Sequence, residues 1–253
     1  MASLQKYRIK LTTCSPLILS PREQNVITTT KEGKIQYLYP FYQYGEYDST
    51  ENPQYYIPGS SIKGAIGKSN IGSQRLLVDD IRLNSDFIEK RSLTKIQKID
   101  IKNKGNKTIK DEVFFPMLKV EMLRSNVEVE GEMFCNGSLN EILERMDQES
   151  RNRIETWDQY QLKIISELFD QKDKRTQFEA LIESPVKKLK ALEEKIGKPA
   201  HLLFLGGFKG KILAGVKQLE AKNELIPVSF YIDKETSLPY GIVNVEIIEG
   251  EYK

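Results

Sequence analysis

The stretch YYIPGSSIKGAIGKS, residues 55–69, runs from two tyrosines through a Pro-Gly break into two serines, then places its remaining glycines among lysines. Gly59, Ser60 or Ser61 can each supply a helix N-terminus, because small polar residues satisfy the open N–H groups of a first turn. The spacing predicts a helix over 59–69, with Gly64 and Ala65 small enough to lie close against a sheet. Gly67-Lys68-Ser69 matches the end of a phosphate-binding P-loop. However, Ile62 stands where that loop needs glycine, and the lysine falls inside the helix instead of before it. A nucleotide pocket is therefore rejected.

Outward from this helix, hydrophobic periods divide the chain. KYRIKLTT alternates Tyr7, Ile9 and Leu11 with Arg8, Lys10 and Thr12, the pattern of a strand with one buried face. After Leu17-Ile18-Leu19 and Ser20-Pro21, the polar residues up to Lys34 read as a loop. IQYLYPFYQYGEY has strong β-propensity and is broken into short strands at Pro40 and Gly45. RLLVDDIRL reads as a short strand interrupted by acids. FFPMLKVEML and NVEVEGEMF alternate on either side of Arg124-Ser125-Asn126, which predicts a β-hairpin. From Ser138 to Ile196 the period lengthens to about 3.6, beginning with Leu139, Ile142, Leu143 and Met146; breaks fall at Asp170–Asp173 and at Pro185. HLLFLGGFKGKILAGVKQL is a strand and turn, and IPVSFYI and GIVNVEIIEGE close the chain as strands. Strands first, helices in the middle and strands last predict an α+β protein with its helices on one side.

The 253 residues carry 38 Lys and Arg against 36 Asp and Glu, so any polyanion-binding surface must come from local segregation of charge. From Lys90 to Lys110 eight basic residues stand against Asp100 alone, a local charge of +7. Each lysine near a phosphate releases a counterion, so this segment reads as a hairpin or finger lying along RNA. Cys14, Cys135 and His201 are too few for an ordinary Cys/His zinc site, and Asp79-Asp80 lacks a third carboxylate, so neither metal nor cofactor is expected. His201, the one imidazole, could act as a general base, but it opens a strand with no acid near it in sequence, which favours a structural role. No stretch is apolar enough to span a membrane and MASLQKYRIK lacks a signal core, so the expected location is cytoplasmic, with no membrane partner.

Four segments then fall in a meaningful order: LTTCSPLIL, YIPGSSIKGAIGK, LLFLGGFKGKIL and LPYGIVNVEIIE. They resemble the RAMP superfamily, the RRM-like RNA-binding subunits of CRISPR effector complexes. The first is similar to its opening strand and Ser-Pro turn. The second is similar to the Pro-Gly-Ser-Ser-(Leu/Ile)-Lys-Gly-Ala segment that opens the first helix of a ferredoxin-like unit. The third resembles its glycine-rich loop, and the fourth its closing Pro-x-Gly turn and strand. Residues 90–196 carry none of its motifs. The helical stretch and the Val-Asp-Asp after the first helix look most like the type III-A (Csm) subunit that caps the 3′ side of the guide RNA. The chain is short for that subunit, and Ser20-Pro21 stands where the family has glycines.

The resemblance implies one elaborated RAMP domain over 1–253, α+β, with a ferredoxin-like (RRM-like) core. Its N-terminal part is 1–137 with a basic insertion near 90–112, a helical insertion follows at 138–196, and 197–253 holds the glycine-rich loop and closing strands. The function implied is that of a non-catalytic structural RNA-binding subunit of an antiviral ribonucleoprotein, gripping guide RNA by its backbone. Its partners would be guide RNA and the other RAMP subunits, above all the repeated backbone subunit, with target RNA and the small helical subunit as further candidates. In the backbone subunit an aspartate after strand one cuts target RNA; SPREQNVITTTKEG here offers only Glu23 and Glu32, so cleavage is not expected. The alternatives are a guide-processing endoribonuclease of the same superfamily or another RAMP position in the complex.

Three groups of residues are candidates for RNA contact. Ser60 and Ser61 would present donors at a helix start, with Lys63 and Lys68 adding charge. Lys95, Lys98, Lys102, Lys104 and Lys107 would lie along the strand. Gly206, Gly207 and Gly210 would let main-chain N–H groups approach phosphates, flanked by Lys209 and Lys211. Tyr37, Tyr39, Phe41, Tyr42 and Tyr44 could stack bases, although aromatics on strands belong more often to the core.

Overall fold

The alternation of the first strand carries through to burial. In the computed structural model, β1 (Gln5–Thr13) buries Tyr7, Ile9, Leu11 and Thr13 and exposes Arg8, as a period of two with one dry face requires. The structure describes residues 4–21, 27–31, 34–45, 47, 52–66, 76–100, 107–167, 187–188, 190–192, 194–195, 201–208, 210, 213–214 and 229–251. After β1 come β2 (Ile27–Lys31), β3 (Lys34–Tyr39), β4 (Gln43–Tyr44), β5 (Gln54–Ile57) and α1 (Gly59–Ala65). Next are β6 (Leu76–Val78), β7 (Ile81–Arg82), β8 (Ile88–Arg91), β9 (Leu93–Asp100), β10 (Lys107–Phe114), β11 (Leu118–Leu123) and β12 (Glu128–Cys135). The long α2 (Leu139–Glu167), β13 (His201–Phe204), β14 (Ser229–Asp233), β15 (Leu238–Pro239) and β16 (Ile242–Glu251) follow. The protein is a mixed α+β molecule, mostly strands with few helices. No helix among the described residues is long and apolar enough to cross a membrane.

The largest sheet has the order β13-β16-β1-β12-β6, with every neighbouring pair antiparallel. α1 lies in sequence between β1 and β6, and α2 between β12 and β13. Ile62 and Ile66 from the first helical segment, and Ile142, Leu143 and Met146 from α2, share one core with Ile9, Leu11, Met133 and Val245 of the sheet. Burying a side chain of this size is worth about 1.5–3 kcal/mol, which is why the apolar stripes fix where both helices sit. The other face of the sheet is charged. Lys6 meets Glu132 at 2.7 Å, Arg8 meets Glu130 at 2.6 Å and Lys10 meets Glu246 at 3.2 Å.

Among the described residues there are three further sheets: β10-β9-β14-β15, β2-β3-β11-β8 and β4-β5-β7. Arg91 ties two of them together, its Nη2 lying 2.7 Å from the fully buried Asp233, which also accepts from the backbone N–H and hydroxyl of Thr236. Glu121 is likewise buried, and it accepts hydrogen bonds from the Phe41 amide and the Tyr55 hydroxyl, both at 3.0 Å.

The structure corrects several expectations. The predicted hairpin of FFPMLKVEML with NVEVEGEMF does not form: β11 runs parallel to β3 and antiparallel to β8, whereas β12 joins the large sheet. β11 is buried from Val120 to Leu123, so it needs cover on both faces and cannot share a one-sided sheet. Between the two strands Asn126, at φ 58°, turns a corner in which its N–H donates to the Thr13 carbonyl at 2.6 Å. The polar stretch read as a loop up to Lys34 contains β2, paired with β3 from Ile27–Leu38 to Lys31–Lys34. Its Ile-Thr-Thr-Thr run is β-branched, which favours a pleated surface despite the polarity. The helix predicted over 59–69 ends at Ala65, and Gly67-Lys68-Ser69 lies outside the described residues. The expected breaks at 170–173 and Pro185 lie outside them as well.

Candidate nucleic-acid interface

The Pro-Gly-Ser-Ser segment opens α1 without a serine cap. Pro58 is the N-cap and accepts from the Ser61 N–H at 2.9 Å, while the Gly59 N–H donates to Asp80 Oδ1 at 2.8 Å. One acid of Asp79-Asp80 thus does the capping, and its other oxygen accepts from the Tyr44 hydroxyl at 3.2 Å. Gly59 is needed for packing: a Cβ there would collide with the Val78 carbonyl oxygen. The close approach to the sheet is made by Gly59 and not by Gly64, around which a Cβ would meet open space.

The glycine-rich loop is bound to the turn after β1. Gly206 has φ 77°, and a Cβ on it would strike the Ile18 carbonyl oxygen, to which the Gly207 N–H donates at 2.9 Å. The Leu205 N–H donates to the Gly241 carbonyl at 2.8 Å, and the Gly241 N–H to the Pro16 carbonyl at 2.9 Å. Gly206 therefore serves a tight turn, and the Gly207 N–H is committed inside the protein. What Gly207 offers a ligand is its bare, exposed Cα. Gly210 also adopts a positive φ, 79°, and its carbonyl accepts from the Ala214 N–H.

These two distant segments line one cavity of about 830 Å³, the first through Ser60, Ser61 and Gly64, the second through Gly206, Gly207 and Phe208. Tyr39, Tyr42 and Arg153 also line it, beside the apolar Ile18, Leu19, Pro21, Ala65, Phe204 and Ala214. So does Ser20, whose Oγ is buried and has no hydrogen-bond partner among the described residues. Hydroxyls, phenols and a guanidinium beside a backbone without side chains suit a phosphodiester. Arg153 was not legible in the sequence, where it is one of several α2 cations spaced one turn from an acid; its Nη2 lies 3.3 Å from Glu149.

The remaining candidates fall in several places. Lys63 is exposed on α1, and Lys68, Lys102, Lys104, Lys209 and Lys211 lie outside the described residues. The basic segment near 90–112 forms the β9–β10 hairpin, in register from Leu93–Phe114 to Asp100–Lys107. Lys90 is 3.5 Å from Glu121 and Arg91 is held by Asp233, so the hairpin itself, residues 93–114, carries six lysines against three acids. The pleat divides them. Lys98 and Lys107 fall on one face by register, while Lys95 and Lys110 fall on the other together with Phe114. Phe41 is buried, Tyr44 stacks on Tyr56 at 4.1 Å, and Tyr37 is exposed.

His201 begins β13 opposite Val245 and is not part of the cavity wall. Burial pushes the Cys14 thiol up to about 11, only partly offset by a backbone hydrogen bond from Asn244. Burial first, then the charge of Glu121 and its hydrogen bond, raise Tyr55 well above the usual phenol range. Among the described residues no cluster of three or more His, Cys, Asp or Glu is arranged to hold a metal ion. No protein-family model matches the chain, and no curated protein matches it.

Proposed function

We propose that this chain is a non-catalytic RNA-binding structural subunit of a type III-A CRISPR ribonucleoprotein. It would hold the 3′ side of the guide RNA by its backbone and cap the filament of repeated backbone subunits. The cleft carries this assignment: Ser60-Ser61 and Gly206-Gly207, which the resemblance singles out at distant places in the chain, line one cavity. The strand order supports the ferredoxin-like part of the reading. β16-β1-β12-β6, antiparallel throughout, is the order expected of a β-α-β-β-α-β core, with α1 and α2 as its helices and β13 added at the edge. On that reading α2 belongs to the core rather than to an insertion, and the β9–β10 hairpin is inserted between its second and third strands.

The test is companionship. Tagged protein is purified from its native cell at moderate salt, the bound RNA is sequenced and the accompanying proteins are identified. Repeat-spacer RNAs arriving with a large CRISPR subunit and several RAMP-like chains are the expected result. An RNA-free monomer would overturn the assignment. Cleavage of repeat RNA by the isolated protein, abolished in His201→Ala, would replace it with the processing-nuclease alternative.

A further inference from the structure

Beside the polar cleft lies a second opening of different chemistry. This groove, about 570 Å³, is walled by Tyr37, Tyr39, Phe114, Phe115, Met117 and Phe208 among others. Tyr39 and Phe208 belong to both openings, so one wall separates a polar space from an aromatic one. Phe114, Phe208 and Tyr231 pack steeply against one another, with centroids 6.2, 5.3 and 5.3 Å apart, so Tyr231 buttresses two of the rings that line the groove. Of the other lining residues, Phe115 is 65% exposed, Met117 51% and Tyr37 39%.

Two features set this groove apart from an ordinary gap in the surface. Phe115 has φ 45° and Phe208 φ 53°, in the left-handed region that bulky side chains avoid. Bearing that strain at two aromatic residues of one groove is the kind of outlier that collects at ligand-holding sites. The second feature is charge. Phe114 ends the hairpin strand β10, Lys95 Nζ lies 5.9 Å over its ring, and by register Lys110 shares that face with one acid, Glu112, opposite Lys95. An apolar protein segment would make no use of these lysines, whereas a nucleotide uses the aromatic slot and the charge together.

We infer that the groove between Tyr37, Phe115 and Phe208 takes a base of single-stranded RNA, turned out of the strand whose backbone occupies the adjoining cleft. The inference rests on the RNA-binding reading above. Every base has a π-face, so such a slot holds RNA without reading its sequence.

The full-length protein is titrated with a fluorescein-labelled polyuridine oligonucleotide and, separately, irradiated with a 5-iodouridine-substituted one. Phe115→Ala combined with Tyr37→Ala is expected to weaken binding by about 5- to 150-fold. The salt dependence should stay the same, because no phosphate contact is removed. Phe115→Trp should retain affinity, and cross-links should map to peptides containing Tyr37 or Phe115. Both positions are exposed, and unchanged circular dichroism checks that the variants fold. If the wild type binds RNA and the double variant binds equally, with cross-links elsewhere, the groove assignment falls while RNA binding stands. If the wild type binds no RNA, the reading beneath it falls and takes the groove with it.

Discussion

Gly59 and Gly64 share one short helix and answer to different neighbours. Gly59→Ala would drive a methyl group into the Val78 carbonyl, and it is expected to cost about 1–3 kcal/mol as α1 is forced off β6. Gly64→Ala meets open space and is expected to gain roughly 0.5–1 kcal/mol, because alanine gives up less backbone freedom in a helix. Thermal unfolding of the two variants should move in opposite directions. Cys14 gives a second handle. Its pKa rises from 9.0 unfolded to about 11 in the folded protein, so in that window the unfolded chain has lost a proton that the native one keeps. Stability must then fall as pH climbs through the window, by about 2 kcal/mol, and Cys14→Ala should flatten the decline in a series of urea titrations. Tyr55 and Tyr240, raised chiefly by burial, extend the same trend at higher pH. At this scale the sequence located the start of α1 and misread the atoms that cap it. Serine is a common cap, but the capping oxygen comes from Asp80, brought back by a return of the chain that no local spacing reports.

Among the elements, the β9–β10 hairpin was legible as a basic projection, and its division into two faces was not. A count of charges ignores the pleat; the register restores it. If RNA runs past the aromatic groove, Lys95→Gln with Lys110→Gln should lower the slope of log affinity against log salt by about 1.4, at roughly 0.7 per phosphate contact on a single strand. Lys98→Gln with Lys107→Gln, on the opposite face, should leave it nearly unchanged. Binding isotherms at several salt concentrations separate the two pairs. β11 and β12 show the same limit from the other side. A period of two identifies a strand and says nothing about its partner, and these two strands part company because one is buried on both faces and the other on one.

For the whole molecule, the succession of periods was enough to give the α+β class, since each element reveals its type locally. The grouping into four sheets was not legible, because pairing is decided by burial summed over distant segments. The outer face of the large sheet illustrates this. Lys6, Arg8 and Lys10 look like a basic strip in sequence, yet each faces a glutamate across the sheet, so the face carries little surplus charge for a polyanion. That directs attention to the cleft, whose walls come from distant places in the chain. β1, the central strand, is completed on one side by β12 and on the other only by β16, at residues 242–251. The turn after β1 is likewise tied to Gly207, Gly241 and Ile242. On the ribosome, then, β1 waits with one edge bare until β16 has been made, and long-range pairings of this kind close slowly. A chain whose synthesis stops short of Gly206 lacks part of the wall of the cleft, and one that stops short of β16 leaves that edge of β1 open.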